Sequence, residues 1–400
     1  MKEEAQKFFD EVIYMQALNN NKLAWSLVEQ AVAAGASDLH LEPMRDVVRV
    51  RIRVDGLLRE LVRLPLAAHS TLVTQLKVAA NMDIAEKRVP QDGRIALELD
   101  GRSVDLRLST LPTTLGEKIA IRLLAQQELL QLEELGFTQA NLACYRRLFT
   151  QPNGLILLTG PTGSGKTSTL YATLAELDAS TRNIITLEDP VEYSLPGINQ
   201  VAVNRRSGMT FAKGLRAIVR QDPDVIMLGE IRDEETAGIA VQAALTGHLV
   251  LSTLHTNSAA GAVYRLWDMG IAPYLLAAAL RGVVAQRLVR RLCPACRRQR
   301  TATAAERSFL GAAIVWEQQG CEQCHAAGYR GRVAVQEVLP LTTSLQQLVL
   351  QRAPVEELEQ AARAEGLRSL AEDAAAKALD GLTTVQELWR VGITGGQDAV

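Results

Sequence analysis

The sequence predicts an α/β protein. A mostly parallel sheet covered by helices on both faces follows a smaller α+β domain and carries a tetracysteine insertion. Three observations carry that prediction. Apolar strand segments alternate with helical segments over residues 137–290, the pattern of a parallel sheet with crossover helices. Residues 37–122 instead show period-two runs broken by Asp-Gly turns around one helical stretch. Four of the five cysteines form two CxxC pairs, Cys293 with Cys296 and Cys321 with Cys324.

Residues 154–169, GLILLTGPTGSGKTST, are the stretch around which the rest is organised. The apolar run 155–158 is short enough for a buried strand. After Thr167 the chain turns helical, with Leu170, Ala172, Leu174 and Leu177 and no breaker among them. Between strand and helix lie Gly160, Pro161, Thr162, Gly163, Ser164, Gly165, Lys166, Thr167 and Ser168. That context turns a glycine-rich turn into a phosphate loop. Glycines let N–H groups curl around an anion, and the new helix points its positive end at the same place. In this geometry Lys166 reaches the β- and γ-phosphates of a nucleoside triphosphate and Thr167 holds Mg²⁺.

Taken in order, residues 1–35 read as helix with Gly35 as the stop. SDLHLEP is a short strand. In VVRVRIRVDGLLREL, Val48, Val50, Ile52 and Val54 share one face, Arg49, Arg51 and Arg53 the other, and Asp55-Gly56 makes the turn. Residues 66–86 look helical. A second hairpin runs from Ile95, Leu97 and Leu99 through Asp100-Gly101 to Val104, Leu106 and Leu108. The small domain with its leading helix then occupies 1–124, and 125–136 is a linker. Residues 137–400 form the larger domain, including a cysteine-bearing subdomain at 290–332 and amphipathic helices at 343–400.

Open α/β sheets bind ligands beyond the carboxyl ends of their strands. Three more signals sit at strand ends. IITLEDPVEY ends a strand in Glu188 and Asp189; PDVIMLGEIRD has Asp224 before its strand and Glu230 after it; TGHLVLSTLHTN is flanked by His248 and His255. One carboxylate after an apolar strand is ordinarily a solvated end or a helix cap. Two such strands downstream of a phosphate loop meet a nucleotide's need for Mg²⁺ ligands and an oriented water. Glu230 is assigned to polarising the attacking or metal-bound water, Glu188 and Asp189 to the metal shell or water orientation, and His255 to sensing the γ-phosphate.

The two CxxC pairs are separated by 24 residues (321 − 296 − 1). Each knuckle offers two thiolates, and two knuckles complete a tetrahedral Zn²⁺ site. A redox dithiol would be one such motif beside a βαβ unit. Arg287, Arg290, Arg291, Arg297, Arg298 and Arg300 surround the first knuckle. They are either a solvated surface or a contact for an acidic protein, anionic lipid headgroups or nucleic acid. Aromatic residues are absent from this run, which disfavours stacking on single strands. The net charge of −2 gives no global sign of nucleic-acid binding, and no window reaches about 18 uncharged apolar residues, so no membrane span is read. The acidic, amphipathic start MKEEAQKFFDEV does not suit a signal peptide.

With these residues laid out, the chain resembles the type II secretion and type IV pilus assembly ATPases of the secretion ATPase superfamily. SDLHLEP, RIRVDG, VPQDGR, GPTGSGKTSTLYA, ITLEDPVEY, RQDPDVIMLGEIRD, TGHLVLSTLHTN, the paired CxxC and GLTTVQELWRV carry the resemblance, over roughly 37–392. It implies a PAS-like N-terminal domain before a RecA-like P-loop ATPase domain, with ATP, Mg²⁺ and Zn²⁺ as ligands. It also implies a homohexamer working from the cytoplasm with platform proteins at the bacterial inner membrane. The motifs correspond to Walker A at 160–167, an acidic box at 188–192, an atypical Walker B at Asp224–Glu230 and a histidine box at His248–His255. Arg107 and Arg122 are implied to reach the nucleotide from the N-terminal domain. Arg216 and Arg220, four apart on the helix before the Walker B strand, are expected at a subunit interface. Members often carry a further N-terminal domain that docks the platform; some 35 residues precede SDLHLEP here, which leaves that contact open. Retraction ATPases share the motor but lack the paired CxxC. The alternative reading is a RecA-like motor that translocates nucleic acid.

Overall fold

The computed structural model describes residues 22–99, 102–125 and 129–394; the expectations for 1–21 and for the Asp100-Gly101 turn lie outside them. The chain divides into two units, Met1–Glu128 and Leu129–Val400, each with its own apolar core.

In the first unit the expected leading helix is present as α1 (Leu23–Ala33), and Gly35 follows it at φ +67°. Then come β1 (Asp38–Pro43), β2 (Val47–Val54), β3 (Leu57–Pro65), α2 (Ala68–Ala79), β4 (Gln91–Leu99), β5 (Arg102–Thr113) and β6 (Gly116–Ala125). The six strands form one antiparallel sheet in the order β3-β2-β1-β6-β5-β4. Val48, Val50 and Ile52 are buried, while the alternate Arg49 and Arg51 reach the carboxylate of Glu42 at 3.0 and 2.7 Å. Helix α2 is shorter than the stretch 66–86 suggested. Asn81 turns left-handed (φ +54°), and the Met82 N–H bonds back to the Lys77 carbonyl at 2.9 Å, closing the helix end. Strand β6 went unread, although Ile119, Ile121 and Leu123 alternate with polar residues and face the core.

The second unit begins with a 3₁₀ turn, Leu132–Leu135, within the stretch read as linker, and its two leucines are buried in this unit's core. In order follow α3 (Gln139–Phe149), β7 (Gly154–Thr159), α4 (Lys166–Glu176), β8 (Ile184–Glu188), β9 (Asn199–Ala202), α5 (Phe211–Ile218), β10 (Val225–Leu228), α6 (Glu234–Leu245) and β11 (Leu249–Leu254). Next are α7 (Ala259–Asp268), α8 (Pro273–Ala279), β12 (Leu280–Leu292), β13 (Arg298–Thr301), α9 (Ala304–Leu310), β14 (Ile314–Glu317) and β15 (Tyr329–Pro340). Helices α10 (Thr343–Gln351), α11 (Val355–Ala364), α12 (Leu370–Leu379) and α13 (Val385–Arg390) close the described chain.

Seven strands form the main sheet in the order β15-β12-β7-β11-β10-β8-β9, all parallel except β15, which pairs antiparallel with β12. Every residue of β7, β8, β10 and β11 is buried, as parallel strands covered on both faces require. Their side chains divide by period two. Leu155, Leu157, Ile226, Leu228 and Val250 enter one core with residues of α5 to α8, while Ile156, Leu158, Met227 and Leu251 enter the other with residues of α3 and α4. Because β7 is central and its neighbours run parallel, four strand ends open on the same edge of the sheet.

Candidate functional site

The phosphate loop leaves β7 and enters α4. Its three glycines serve different needs. A Cβ at Gly160 would lie 2.3 Å from the Gln286 carbonyl oxygen, and one at Gly165 2.9 Å from Gln286 Nε2, so both allow close approach to β12. Gly163 has open space around it and only its φ of +79° favours glycine. Gly165 also serves as the helix N-cap at φ +86°, with no side chain capping the first turn of α4. The N–H groups of that turn thus remain available to a ligand. Lys166 is 8% exposed, and its Nζ donates to the carbonyls of Gly160 (2.7 Å) and Pro161 (3.2 Å). Burial pushes this ammonium down to about 8, with Glu230 opposing the shift. Ser164 Oγ is buried without a hydrogen-bond partner inside the same cradle. A glycine cradle, an ammonium held only by carbonyls and an orphaned hydroxyl fit a polyphosphate.

At the ends of β10 and β11 the structure brings Glu230 and His255 together, with Nε2 3.6 Å from a carboxylate oxygen. Burial and then Lys166 lower the His255 pKa, while Glu230 raises it. Thr253 Oγ1 donates to the Gly229 carbonyl at 2.8 Å, fastening the Glu230 turn to β11. Arg232, which was not singled out, holds Glu230 at 2.6 Å; its place two residues on in GEIRD was the available signal.

Glu188 closes β8 but is only 3% exposed. Its oxygens accept from Tyr171 Oη (2.5 Å), Thr186 Oγ1 (2.5 Å) and Gln200 Nε2 (3.2 Å). None of these three donors was anticipated, because they come from α4, β8 and β9. Asp189 is the more open of the pair and lies 3.6 Å from Arg205.

Two members of the expected nucleotide set sit elsewhere. Asp224 precedes β10 and accepts the Asn183 N–H at 2.7 Å; His248 precedes β11, with Nδ1 2.9 Å from the Ala243 carbonyl. Both strands are parallel to β7, so these residues occupy the edge opposite the phosphate loop, about 13–20 Å away at 3.3 Å per residue. Within one chain they do not reach a phosphate held by Lys166. Arg216 pairs with Glu235 at 2.7 Å on the surface. Helix α5 ends at Ile218, so Arg220 lies past the cap and the shared helical face extends only to Arg216. In the first unit, Arg107 and Arg122 stand directly opposite each other on β5 and β6. Arg122 is exposed, 3.3 Å from Asp38.

The four cysteines converge. Their sulfurs lie within 4.8 Å of one another, with separations of 3.9 Å (Cys293–Cys321), 3.8 Å (Cys296–Cys324) and 3.7 Å (Cys321–Cys324). A tetrahedron with Zn–S bonds of about 2.3 Å has edges of about 3.8 Å, so the set fits zinc. Burial opposes a charged Cys324, yet the N–H groups of Cys321 and Gly328 (both 3.2 Å) bring it down to about 6. The arginines around this cluster are largely committed within the chain. Arg287 bonds Asn257, Arg290 pairs with Glu387 at 2.7 Å and covers the Tyr329 ring at 3.9 Å, Arg297 covers Trp316, and Arg298 and Arg300 pair with Glu317. The solvated-surface reading therefore gains over lipid or nucleic-acid contact.

Fold and loop together define a P-loop domain of the RecA-like ATPase class. A family model described as "Type II/IV secretion system protein" matches residues 18–390. Type II secretion system protein HxcR of Pseudomonas aeruginosa is 53% identical over 367 residues, which cover 92% of this chain and 76% of that relative. Type II secretion system ATPase E of Vibrio cholerae is 50% identical over 376 residues, 92% of this chain and 75% of its own. Among solved structures, the pilus retraction motor PilT with bound ADP superposes with a TM-score of 0.63 at 25% identity, covering 92% of this chain and 96% of its own. The ATPase DotB of Legionella pneumophila, at 21% identity, shares the fold with a TM-score of 0.67 over 91% of this chain and 94% of its own. The chain belongs to the type II/IV secretion system protein family.

The cysteine geometry makes a metal measurement decisive. Elemental analysis of protein purified without chelator should find about one zinc per chain, reduced to none by Cys321→Ser with Cys324→Ser. Structural zinc supplies on the order of 10 kcal/mol to a small module. Chelation should therefore unfold the 290–332 region while nucleotide binding at 160–167 survives. Metal-free protein with an intact module would contradict the assignment.

Proposed function

We propose that this chain is the ATP-hydrolysing motor of a type II secretion or type IV pilus assembly system, acting as a homohexamer. Its place would be the cytoplasmic side of the inner membrane, against the platform proteins of that system. The observation that carries the reading is the gathering of Lys166, Glu230 and His255 at one edge of the parallel sheet. No helix among the described residues is long and apolar enough to cross a membrane.

In this reading the α4 N-terminus and residues 160–167 bind the phosphates, Lys166 moves from its carbonyls to the β- and γ-oxygens, and Thr167 ligates Mg²⁺. Glu230 takes the proton of the attacking water or orients it, and Arg232 keeps that carboxylate in one rotamer. His255 reports whether a γ-phosphate is present. Asp189 is the better placed of the acidic pair for a metal-bound water, since Glu188 is occupied by three donors. Charge building on the γ-phosphate calls for further cations, and Arg107 and Arg122 are proposed to supply them.

Three outcomes test this. Lys166→Ala should lose ATP binding and turnover together, whereas Glu230→Gln should bind ATP and fail to hydrolyse it; parental turnover in Glu230→Gln would remove Glu230 from its role.

A bound polyphosphate raises the Lys166 pKa above its value of about 8 in the free loop, so binding takes up a proton. ATP affinity should accordingly fall between pH 7 and 9, by up to about tenfold per unit, and calorimetry in buffers of different ionisation enthalpy should register the uptake.

Arg107→Ala and Arg122→Ala should fold and bind ATP but hydrolyse it at least about a hundredfold more slowly, arginines so placed being worth about 10³–10⁵ in rate. Specific activity should climb steeply with protein concentration; full activity in a dilute, verified monomer would end the hexamer reading.

A further inference from the structure

Strand β12 breaks its buried apolar run with two polar residues in succession, Gln286 and Arg287. Consecutive residues of a strand project to opposite faces, so the pair serves two sides of the sheet. Gln286 is 1% exposed. Its Nε2 donates to the Ser164 carbonyl at 2.7 Å, and its Oε1 accepts from Thr169 Oγ1 at 3.0 Å. Gln336 Nε2 on β15 also lies 3.5 Å from that Oε1. The amide therefore grips the phosphate loop on both sides of Lys166. Arg287 donates from Nη2 to the Asn257 backbone carbonyl and to its Oδ1, both at 3.1 Å. Asn257 follows His255 by two residues. The same segment is also tied to β7 through Thr159, whose Oγ1 meets the Thr256 N–H at 2.8 Å, its carbonyl at 3.1 Å and its Oγ1 at 2.6 Å.

We infer that Gln286 and Arg287 are positioning residues that fix, from one strand, the two loops meeting the nucleotide: Gln286 the phosphate loop and Arg287 the His255 loop. The inference rests on the reading of 160–167 as the nucleotide site. The two residues should fail differently. Without the Gln286 amide, the Ser164 carbonyl loses its side-chain donor and the Thr169 hydroxyl keeps only the Gly165 carbonyl at 3.2 Å, and the loop relaxes toward whatever satisfies them. Every phosphate-bearing ligand then binds more weakly. Without Arg287, residues 255–258 keep the Thr159 contacts but lose the hold on Asn257 and gain freedom. The hydrogen bonds from Gln286 to the phosphate loop are kept, although the Arg287 charge is felt at Lys166, so ADP affinity changes less than without Gln286 while the γ-phosphate step slows.

Hydrogen–deuterium exchange on the full nucleotide-free chain tests this without relying on hydrolysis. Gln286→Leu should speed exchange at least about tenfold in 160–169 and leave 255–261 at the parental rate, as expected from the two buried hydrogen bonds lost. Arg287→Ala should do the reverse, and Arg287→Lys, which keeps a donor, should restore part of the protection. Should Gln286→Leu fail to fold, Gln286→Glu keeps the acceptor for Thr169, loses the donor to Ser164, and should loosen 160–166 alone. In kinetics, Gln286→Leu should raise KM for ATP and weaken ADP binding about tenfold, whereas Arg287→Ala should lower kcat with ADP affinity changed by less than about threefold. Parental exchange at both loops, a uniform rise across the whole unit, or loosened loops with parental KM and kcat would each overturn the inference. If the loops loosen as stated but the parental chain hydrolyses no ATP, the hydrolytic reading fails and the positioning roles stand.

Discussion

A buried ammonium ion is the constraint on which this site depends. Lys166 sits in the second unit's interior with its charge met by two loop carbonyls, and burial pushes its pKa down to about 8. Those carbonyls turn inward because Gly160 and Gly165 let the loop lie within bonding distance of β12. Strand β12 can be that close because it is the immediate parallel neighbour of β7. The same parallel arrangement delivers Glu230 and His255 to the same edge, where the Glu230 carboxylate acts on both the Lys166 ammonium and the His255 ring. Loop, neighbouring strand and acidic turn are thus one electrostatic unit. In the proposed function, a phosphate entering it would replace weak dipoles with full negative charge at a cation already desolvated to receive it.

The phosphate loop was legible because its glycines, lysine and flanking hydrophobic runs are local features of the chain. Glu230 and His255 were legible for the same reason, each ending an unmistakable buried strand. Asp224 and His248 precede their strands, which the sequence also shows, and the parallel pairing of β10 and β11 with β7 sets both at the edge opposite the glycine-rich loop. The environment of Glu188 was beyond sequence reasoning: Tyr171, Thr186 and Gln200 come from three separate elements. Strand β6 illustrates the opposite case, where Ile119, Ile121 and Leu123 alternated in plain view beside an equally regular hairpin. The helical stretch 66–86 was overlong because Asn81 is a weak sequence signal for a left-handed stop, weaker than glycine.

The arginine-rich run shows how composition misleads when partners are distant in sequence. Glu387 is 1% exposed, yet its carboxylate is held below the usual range, the Arg390 and Arg290 guanidinium groups outweighing burial. It thereby ties β12 to α13, 97 residues away along the chain. Arg297 does the same toward the Gly381 carbonyl at 2.5 Å while lying over Trp316. These residues form the polar border of a small apolar cluster of Val289, Val333, Val335, Ala378 and Leu388. Arg290 and Arg297, which read in sequence as part of a cationic surface, lie on the seam between the sheet edge and the C-terminal helices.

Strands β12 and β15 are antiparallel neighbours, Leu292 facing Tyr329, so the cysteine module is in topological terms the tip of a long hairpin. Its 36 residues (329 − 292 − 1) occupy a place that a four-residue turn could fill. Loop-closure entropy grows only as the logarithm of length, and the ninefold difference amounts to about 2 kcal/mol. A bound metal outweighs that several times over. The motor's sheet is therefore almost indifferent to what hangs from this hairpin. Lineages sharing such a sheet can lengthen, shorten or replace the appendage while the catalytic edge, on the strands beyond it, keeps its geometry.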